Sequence, residues 1–142
     1  MKGYVVDASV AVKWLIPEEY SEKAMKLLEA WVKQELELNA PRLLRLEVTN
    51  ALTKYAARGL LKVEQLVQGF QIFREIAITY SDEDWQLIEE ALNASTTMDL
   101  SIYDAIYIVL AKKLNATLIT ADGKLVDKIK LEMDVLNIKD LS

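Results

Sequence analysis

Short runs of β-branched and aromatic residues alternate along the chain with longer segments in which apolar residues return every three or four positions. The first run, Tyr4 to Val6, has no polar interruption, which is typical of a strand buried on both faces. The longer segments have the periodicity of amphipathic helices. Four further runs are predicted strands: Leu38 to Ala40, Ile78 to Tyr80, Thr117 to Thr120 and an edge strand from Val135 to Ile138.

Predicted helices fill the intervals between these strands. One begins at Ser9, directly after the first strand. Gly59 separates two later helices, which together predict a helical hairpin. Another predicted helix begins with the acidic turn Ser81 to Asp84 and continues through Leu92, and a polar loop from Asn93 to Asp99 follows it. The other predicted helices after the first are Glu18 to about Glu35, about Arg42 to Arg58, Val63 to Ile76, Ser101 to Leu114 and Gly123 to about Leu131.

This alternation predicts the fold class. It favours an α/β domain with a central, mainly parallel sheet of four to five strands flanked by helices. With 142 residues, 52% of them hydrophobic, the chain fits one folded domain, residues 1–142. No targeting signal precedes the first strand, and no apolar run is long enough to span a bilayer. We therefore expect a soluble, cytoplasmic protein.

Two residue types are missing, and their absence excludes whole classes of chemistry. The sequence contains neither Cys nor His, so disulfides, thiolate metal sites, Ser-His-Asp and Cys-His nucleophiles and ordinary zinc sites are ruled out. Any metal must be bound through oxygen, which points to Mg²⁺ or Mn²⁺. The net charge of −5 argues against a broad basic surface that coats nucleic acid. It leaves open an enzyme that acts on nucleic acid through a metal and a local basic strip.

Two aspartates occupy equivalent positions at the ends of predicted strands. Asp7 ends the first strand, and Asp122 closely follows the strand that ends at Thr120. Taken alone, each is most simply a helix cap, because Asp is common at that position. In a parallel sheet, however, both strands end at the same edge, and open α/β sheets bind ligands at that edge.

Two further acids, Glu47 and Asp104, lie on predicted helices. Glu47 falls on the apolar side of its helix, one turn from Leu43, where an unpaired carboxylate is costly and needs a partner. Pairing with Arg45 is the structural alternative, but residues two apart on a helix do not face each other. Asp104 stands three residues after Ser101, which is the spacing of a capping box before an apolar helix.

The four acids are harder to explain as caps when they are taken together. We expect all four to meet at the carboxyl edge of the sheet, where each like-charged pair about 4 Å apart costs about 4 kcal/mol at an effective dielectric constant near 20. A fold tolerates such crowding only if a proton or a divalent cation neutralises it. Without Cys or His, an all-oxygen Mg²⁺ or Mn²⁺ site is the natural solution.

At these residues the sequence resembles the PIN-domain ribonucleases, and most closely the VapC-type toxins of prokaryotic toxin–antitoxin pairs. The matching segments agree with the family in order and approximate spacing over nearly the whole chain. They are Val5-Val6-Asp7-Ala8-Ser9-Val10, Leu46-Glu47-Val48-Thr49-Asn50-Ala51-Leu52, Tyr103-Asp104-Ala105-Ile106-Tyr107 with Leu110-Ala111, and Leu118-Ile119-Thr120-Ala121-Asp122.

The resemblance implies a Mg²⁺- or Mn²⁺-dependent endoribonuclease that cleaves single-stranded or loop RNA. It also implies a homodimer and inhibition by a small antitoxin. Asp104 and Asp7 are the best candidates for direct metal ligands, and Glu47 is expected to bind metal through water or to act as a base. The implied catalytic and metal-binding acids are Asp7, Glu47, Asp104 and Asp122, and the implied supporting residues, which orient carboxylates or water, are Ser9, Asn50 and Thr120.

Basic and aromatic residues near the motifs are candidates for contacts with RNA. Exposed lysines and arginines are more often simply solvated, so each of these assignments has a plain alternative. The candidate phosphate contacts are Lys13, Arg42, Arg45 and Lys124. Tyr55, Tyr103 and Tyr107 could stack on bases, but their helical spacing beside aliphatic residues favours packing in the core.

Other interpretations stay open at this point. A housekeeping PIN nuclease in RNA processing would carry the same acids. A receiver-type or phosphatase-type Mg²⁺ protein would be phosphorylated on a strand-end aspartate such as Asp7. The phosphatase version usually has a second Asp two residues later, where this chain has Ser9. A catalytically inactive PIN-like module would use its acids only as caps and its helical hairpin to bind a protein partner.

Overall fold

The computed structural model describes all of residues 1–142 and has a five-stranded sheet at its centre. All neighbouring strands in it are parallel, so the predicted α/β class is confirmed. Every predicted strand is present, with ends that differ from the prediction by at most two residues. The strands are β1 (Lys2–Val6), β2 (Leu36–Pro41), β3 (Thr79–Ser81), β4 (Thr117–Thr120) and β5 (Val135–Asn137).

The strand order in the sheet is β3-β2-β1-β4-β5, with β1 in the middle. The chain extends the sheet first to one side of β1, through β2 and β3, and then to the other, through β4 and β5. At the reversal Val6 of β1 is paired with Ile119 of β4, so the carboxyl ends of these two strands are neighbours. In open α/β sheets the crevice outside such a reversal point is the usual ligand site.

Seven α-helices connect and flank the strands. The predicted helical hairpin is present, and its first helix ends before Gly59, which has a left-handed φ of 74°. No helix combines the length and the apolar character that crossing a membrane requires. The helices are α1 (Ala8–Ala11), α2 (Ser21–Val32), α3 (Leu43–Ala57), α4 (Val63–Glu75), α5 (Trp85–Met98), α6 (Ile102–Lys113) and α7 (Gly123–Ile129), with 3₁₀ turns at Val12–Trp14 and Ile138–Asp140.

The predicted polar loop over residues 93–99 is wrong, because α5 continues to Met98. The helix ends only at Asp99, which has a left-handed φ of 54°. Ala91 and Ala94 belong to a small apolar cluster formed with α6. This packing against a neighbouring helix outweighs the modest helix propensity of the Asn, Ser and Thr residues in the segment.

The start of α5 also differs from the prediction. Ser81 ends β3, and the helix begins after Asp84, whose carboxylate accepts a hydrogen bond from the backbone N–H of Leu87 at 2.8 Å. Glu83, in the same segment, caps a different helix: its Oε1 accepts from the N–H of Leu43 at 2.6 Å. The acidic segment therefore fixes the beginnings of both α5 and α3.

Helix α6 is the most deeply buried helix, since all seven residues from Ala105 to Ala111 are buried. It packs between α5 and strands β1, β2 and β4, which explains why it lacks a polar face in this stretch. Fully burying one such side chain, for example Ile108, stabilises the fold by about 1.5–3 kcal/mol. Because a helix that connects parallel strands runs antiparallel to them, this packing places the amino end of α6 at the carboxyl edge of the sheet.

Candidate metal centre

Asp7 stands at the carboxyl end of β1 and caps α1, and three groups donate hydrogen bonds to its carboxylate. Its Oδ1 accepts from the Ser9 hydroxyl at 2.6 Å and from the Val10 N–H at 3.4 Å. Its Oδ2 accepts from the Thr120 hydroxyl at 2.5 Å. Both carboxylate oxygens are thus held in place by neutral donors from β4 and from the start of α1.

The two hydroxyl groups also connect the ends of β1 and β4. The Ser9 Oγ accepts from the Ala121 N–H at 2.8 Å, and the Thr120 Oγ1 accepts from the Asp122 N–H at 3.1 Å. Each hydroxyl therefore receives one backbone proton and directs its own proton to Asp7. The structure brings Ser9 and Thr120, two of the three expected supporting residues, onto this carboxylate.

The Asp7 carboxyl is in an environment that disfavours its charge. Burial raises its pKa from 3.8 to about 6, and the charge of Asp104 adds to the rise, while the hydrogen bonds of Ser9, Thr120 and Val10 oppose it. No lysine or arginine forms an ion pair with it, because the three ion pairs of the structure lie elsewhere. Asp7 is half-buried, and a partly desolvated carboxylate without a cationic partner is unusual for a purely structural cap.

Glu47 lies on the inward side of α3, and its partner is Tyr107 of α6, not Arg45. The Tyr107 hydroxyl donates to Glu47 Oε1 at 2.5 Å. Burial raises the pKa of the Glu47 carboxyl, the hydrogen bond from Tyr107 lowers it, and the charge of Asp104 raises it further. Tyr107 is a core residue, as its spacing predicts, but its second role escaped the sequence reasoning. The available signal was its position one turn after Asp104, which puts both side chains on one face of α6.

Asp104 lies in the first turn of α6. Its backbone N–H donates to the Oγ of Ser101, the residue that caps the helix, at 3.1 Å. Burial raises the pKa of the Asp104 carboxyl, and the charge of Asp122 raises it further, while Ser101 and the Lys128 ammonium oppose this rise. Asp104 is thus both part of a helix cap and a charged neighbour of the other acids.

Asp122 is the most exposed of the four acids and caps α7. Its Oδ1 accepts from the Leu125 N–H at 3.1 Å, which is the geometry that a helix cap predicts. Its charge nevertheless reaches Asp104. The cap and the acidic cluster are therefore compatible roles for the same side chain.

Asp104 is the common neighbour in this group. Its charge raises the pKa of both Asp7 and Glu47, and its own pKa is raised by Asp122. The four acids thus share one electrostatic environment at the carboxyl edge of the sheet. No three of them are close enough to bind a single ion as the side chains stand.

The chemistry of this donor set fits a hard divalent cation. All the charged groups are carboxylates, which are the ligands that Mg²⁺ and Mn²⁺ prefer, and burial disfavours three of them in the charged form. A cation would remove both the mutual repulsion and the cost of burial. The fit of these residues to such a cation rests on donor type and charge.

Asn50, the third expected supporting residue, and the lysines proposed as RNA contacts do not bond to any of the four acids. Asn50 is exposed on α3, and its side chain forms no hydrogen bond. The Lys13 ammonium is largely buried, where it pairs with Glu18 at 3.4 Å and donates to the carbonyl oxygen of Glu19 at 2.7 Å. Lys124 is exposed in the first turn of α7. Lys13 is therefore already engaged, whereas the ammonium of Lys124 faces solvent.

The two arginines at the start of α3 line a cavity of about 450 Å³ that Tyr103 also borders. Arg42 pairs with Asp82 at 3.3 Å, and the Arg45 guanidinium lies 5.8 Å from the centroid of the Tyr80 ring. The predicted packing of Tyr103 in the core is wrong, since 56% of the residue is exposed. Tyr103 and Ile106 of α6 line the cavity together with the two arginines, and none of the four acids lines it.

Comparison with known proteins gives a consistent result. Residues 4–131 match the family described as PIN domain. The chain is 33% identical over 129 residues to "Ribonuclease VapC3" of Pyrobaculum aerophilum, covering 87% of this chain and 92% of that protein. Its fold is similar to the crystal structure of PAE2754 from Pyrobaculum aerophilum, with a TM-score of 0.72, 23% identity and coverage of 99% and 92% of the two chains. It is also similar to a chain of VapBC2 from Rickettsia felis bound to a DNA fragment from its promoter, with a TM-score of 0.70, 16% identity and coverage of 95% and 98%.

Proposed function

The chain belongs to the PIN-domain family, and from that premise we propose that it is an endoribonuclease that hydrolyses phosphodiester bonds in RNA as the toxin of a toxin–antitoxin pair. The proposal is supported by its identity to a protein named as a VapC ribonuclease over most of both chains. The single observation that carries the chemistry is the group of charge-coupled carboxylates at the β1–β4 reversal point.

The proposed cofactor is Mg²⁺ or Mn²⁺. The residues that would hold it are Asp7, Glu47, Asp104 and Asp122, with Asp7 and Asp104 as the direct ligands. When bound, a divalent cation lowers the pKa of a water molecule and stabilises the charge that develops on the scissile phosphate. The all-carboxylate donor set supports this choice of ion.

The protein's own residues supply orientation and proton transfer. Ser9 and Thr120 fix Asp7 through both of its carboxylate oxygens. Glu47 has a raised pKa, which suits a carboxylate that accepts a proton from the attacking water. In-line attack by water breaks the P–O3′ bond, and the departing 3′-oxygen takes up a proton from solvent, so the products are a 5′-phosphate and a 3′-hydroxyl. Attack by the ribose 2′-hydroxyl would instead leave a cyclic phosphate. The product ends therefore test this mechanism.

The proposed RNA contacts are basic side chains near the sequence motifs. Arg42, Arg45 and Lys124 are exposed and could reach phosphates, and Lys13 would first have to leave Glu18. Asn50 is proposed to orient a carboxylate or water, because its exposed amide is free of protein partners.

The proposed protein partners are a second copy of the chain and a small antitoxin. One structural neighbour is a chain of the VapBC2 complex, bound to a promoter DNA fragment, and another is described as a "Toxin-antitoxin complex from Klebsiella pneumoniae". These descriptions support an antitoxin as the inhibitor of this protein. The family resemblance supports the homodimer.

The decisive experiment is RNA cleavage by the purified protein with Mn²⁺ or Mg²⁺, with and without EDTA, beside Asp104→Asn. We expect cleavage that the chelator and the substitution both abolish. Equal cleavage by the wild type and the variant would mark a contaminating nuclease. If neither cleaves and Mn²⁺ raises the melting temperature of neither, the proposed function is wrong and the chain is an inactive interaction module.

A further inference from the structure

Tyr107 joins the core of the protein to its acidic cluster. Its ring is 3% exposed and belongs to the main apolar core, whereas its hydroxyl reaches Glu47 Oε1 at 2.5 Å. It lies on α6 three residues after Asp104, so a single helix presents one acid and the donor that holds another.

We infer that Tyr107 is a positioning residue that holds Glu47 in the orientation in which it binds a divalent cation or its coordinated water. The inference rests on the proposed function, because it concerns the same site. A glutamate side chain has several rotatable bonds, and ordering them on binding weakens affinity unless they are ordered beforehand. The buried ring cannot follow a moving carboxylate, so its hydroxyl fixes where Glu47 points.

The hydrogen bond also distinguishes the two oxygens of Glu47. Oε1 accepts from Tyr107, while no protein group donates to Oε2. Oε2 is therefore the oxygen left for a cation or a water molecule. Asp7 is held in a related way, by the hydroxyls of Ser9 and Thr120.

The relation between Tyr107 and Glu47 is more specific than ordinary core packing. A ring without the hydroxyl would fill the same volume, so packing alone gives no reason for a tyrosine here. Burial without a partner would leave the hydroxyl unsatisfied, and the structure contains no buried side-chain polar atom without a hydrogen bond. Glu47 is its partner, and the pair spans 60 residues of sequence to link α3 with α6.

The test is Tyr107→Phe, with Tyr55→Phe as the matched control. Tyr55 also donates its hydroxyl to a carboxylate, that of Glu18, which is outside the four acids. Mn²⁺ affinity is measured by calorimetry without RNA, kcat and KM are measured with RNA, and melting is measured in EDTA. We expect Tyr107→Phe to weaken Mn²⁺ binding about 10-fold or more and to lower kcat with little change in KM. Tyr55→Phe should leave Mn²⁺ affinity unchanged.

A double substitution separates positioning from folding. In a Glu47→Gln background, Tyr107→Phe should change Mn²⁺ affinity no further, because its effect acts through Glu47. Equal Mn²⁺ affinity and equal kcat in the wild type and Tyr107→Phe would overturn the inference and leave the proposed function intact. If Tyr107→Phe weakened Mn²⁺ binding as much in the Gln background, the hydroxyl would act independently of Glu47 and the inference would be wrong. A wild type that binds no Mn²⁺ and cleaves no RNA would overturn the proposed function, and this inference with it.

Discussion

Replacing Asp7 with asparagine should stabilise the metal-free protein at neutral pH. The substitution keeps the size of the side chain and its capacity to hydrogen-bond with Ser9 and Thr120, whose hydroxyls can turn to accept from an amide. It removes a negative charge that burial disfavours. Most substitutions of a half-buried residue with several hydrogen bonds destabilise a protein, so a gain in stability would be a distinctive result.

The magnitude follows from the pKa of the carboxyl group. A rise from 3.8 to about 6, at about 1.36 kcal/mol for each pKa unit, corresponds to about 3 kcal/mol by which burial opposes the ionised form. Because the folded-state pKa is raised, the folded protein holds the proton more tightly than the unfolded chain. Stability contributed by this group is therefore fully present below pH 4 and is lost as the pH rises through 6.

The assay is urea unfolding in EDTA at pH values from 3.5 to about 8, with wild type, Asp7→Asn and the control Asp127→Asn. The free energy of unfolding of Asp7→Asn relative to wild type should increase by about 2–3 kcal/mol between pH 4 and pH 7. Asp127 is an exposed residue paired with Lys130, so its substitution should give a nearly flat difference. A flat difference for Asp7→Asn would refute the argument that Asp7 is held charged at a cost.

Adding a divalent cation should reverse the ranking of the two proteins. A ligand at 100 times its dissociation constant stabilises the protein that binds it by about 2.7 kcal/mol. Wild type should gain this amount in Mn²⁺ at pH 7.5, whereas Asp7→Asn, which lacks the ligand charge, should gain much less. If both proteins gained equally, the bound Mn²⁺ would lie elsewhere.

Substitutions at three further positions test other parts of the structure. Glu83→Ala removes the acceptor for the Leu43 N–H and should cost about 1 kcal/mol in urea unfolding, whereas Glu83→Gln should retain most of that stability. Arg45→Glu should weaken RNA binding and reduce the slope of log affinity against log salt by about one or more, and an unchanged slope would exclude a phosphate contact. Leu46 is 70% exposed on α3, and we expect the proposed homodimer to form through this face. Leu46→Asp should therefore convert the dimer to a monomer in light scattering, and an unchanged mass would show that the dimer contact lies elsewhere.

The strands could be predicted from the sequence because their local hydrophobic pattern agrees with their burial in the folded protein. The run from Thr117 to Thr120 is apolar or β-branched throughout, and the structure buries all of it in β4. The same agreement put Asp7 and Asp122 at the ends of neighbouring strands, since parallel strands share an edge. Site residues that lie at a strand end or a helix start can therefore be predicted from hydrophobic periodicity and from helix-capping residues.

The mistakes arose where long-range contacts decide the local structure. The segment 93–99 looks like a loop because it is polar, but α6 gives Ala91 and Ala94 a surface to pack on. Glu83 looks like part of the first turn of its own helix, but it caps α3, which is 40 residues earlier in the sequence. The bond between Tyr107 and Glu47 spans 60 residues, so the local pattern places Tyr107 beside Asp104 but cannot identify Glu47 as its partner.

The side chains that hydrogen-bond to the acids explain how the carboxylates can stay negatively charged in this cluster. Ser9, Thr120 and Tyr107 are neutral donors, so they fix the carboxylates of Asp7 and Glu47 without cancelling their charge. Arginine or lysine in these positions would hold the carboxylates as firmly, but would also cancel their negative charge. None of the three ion pairs of the structure includes one of the four acids. The fold therefore maintains orientation and negative charge together, and that combination favours a divalent cation over a side chain as the neutralising group.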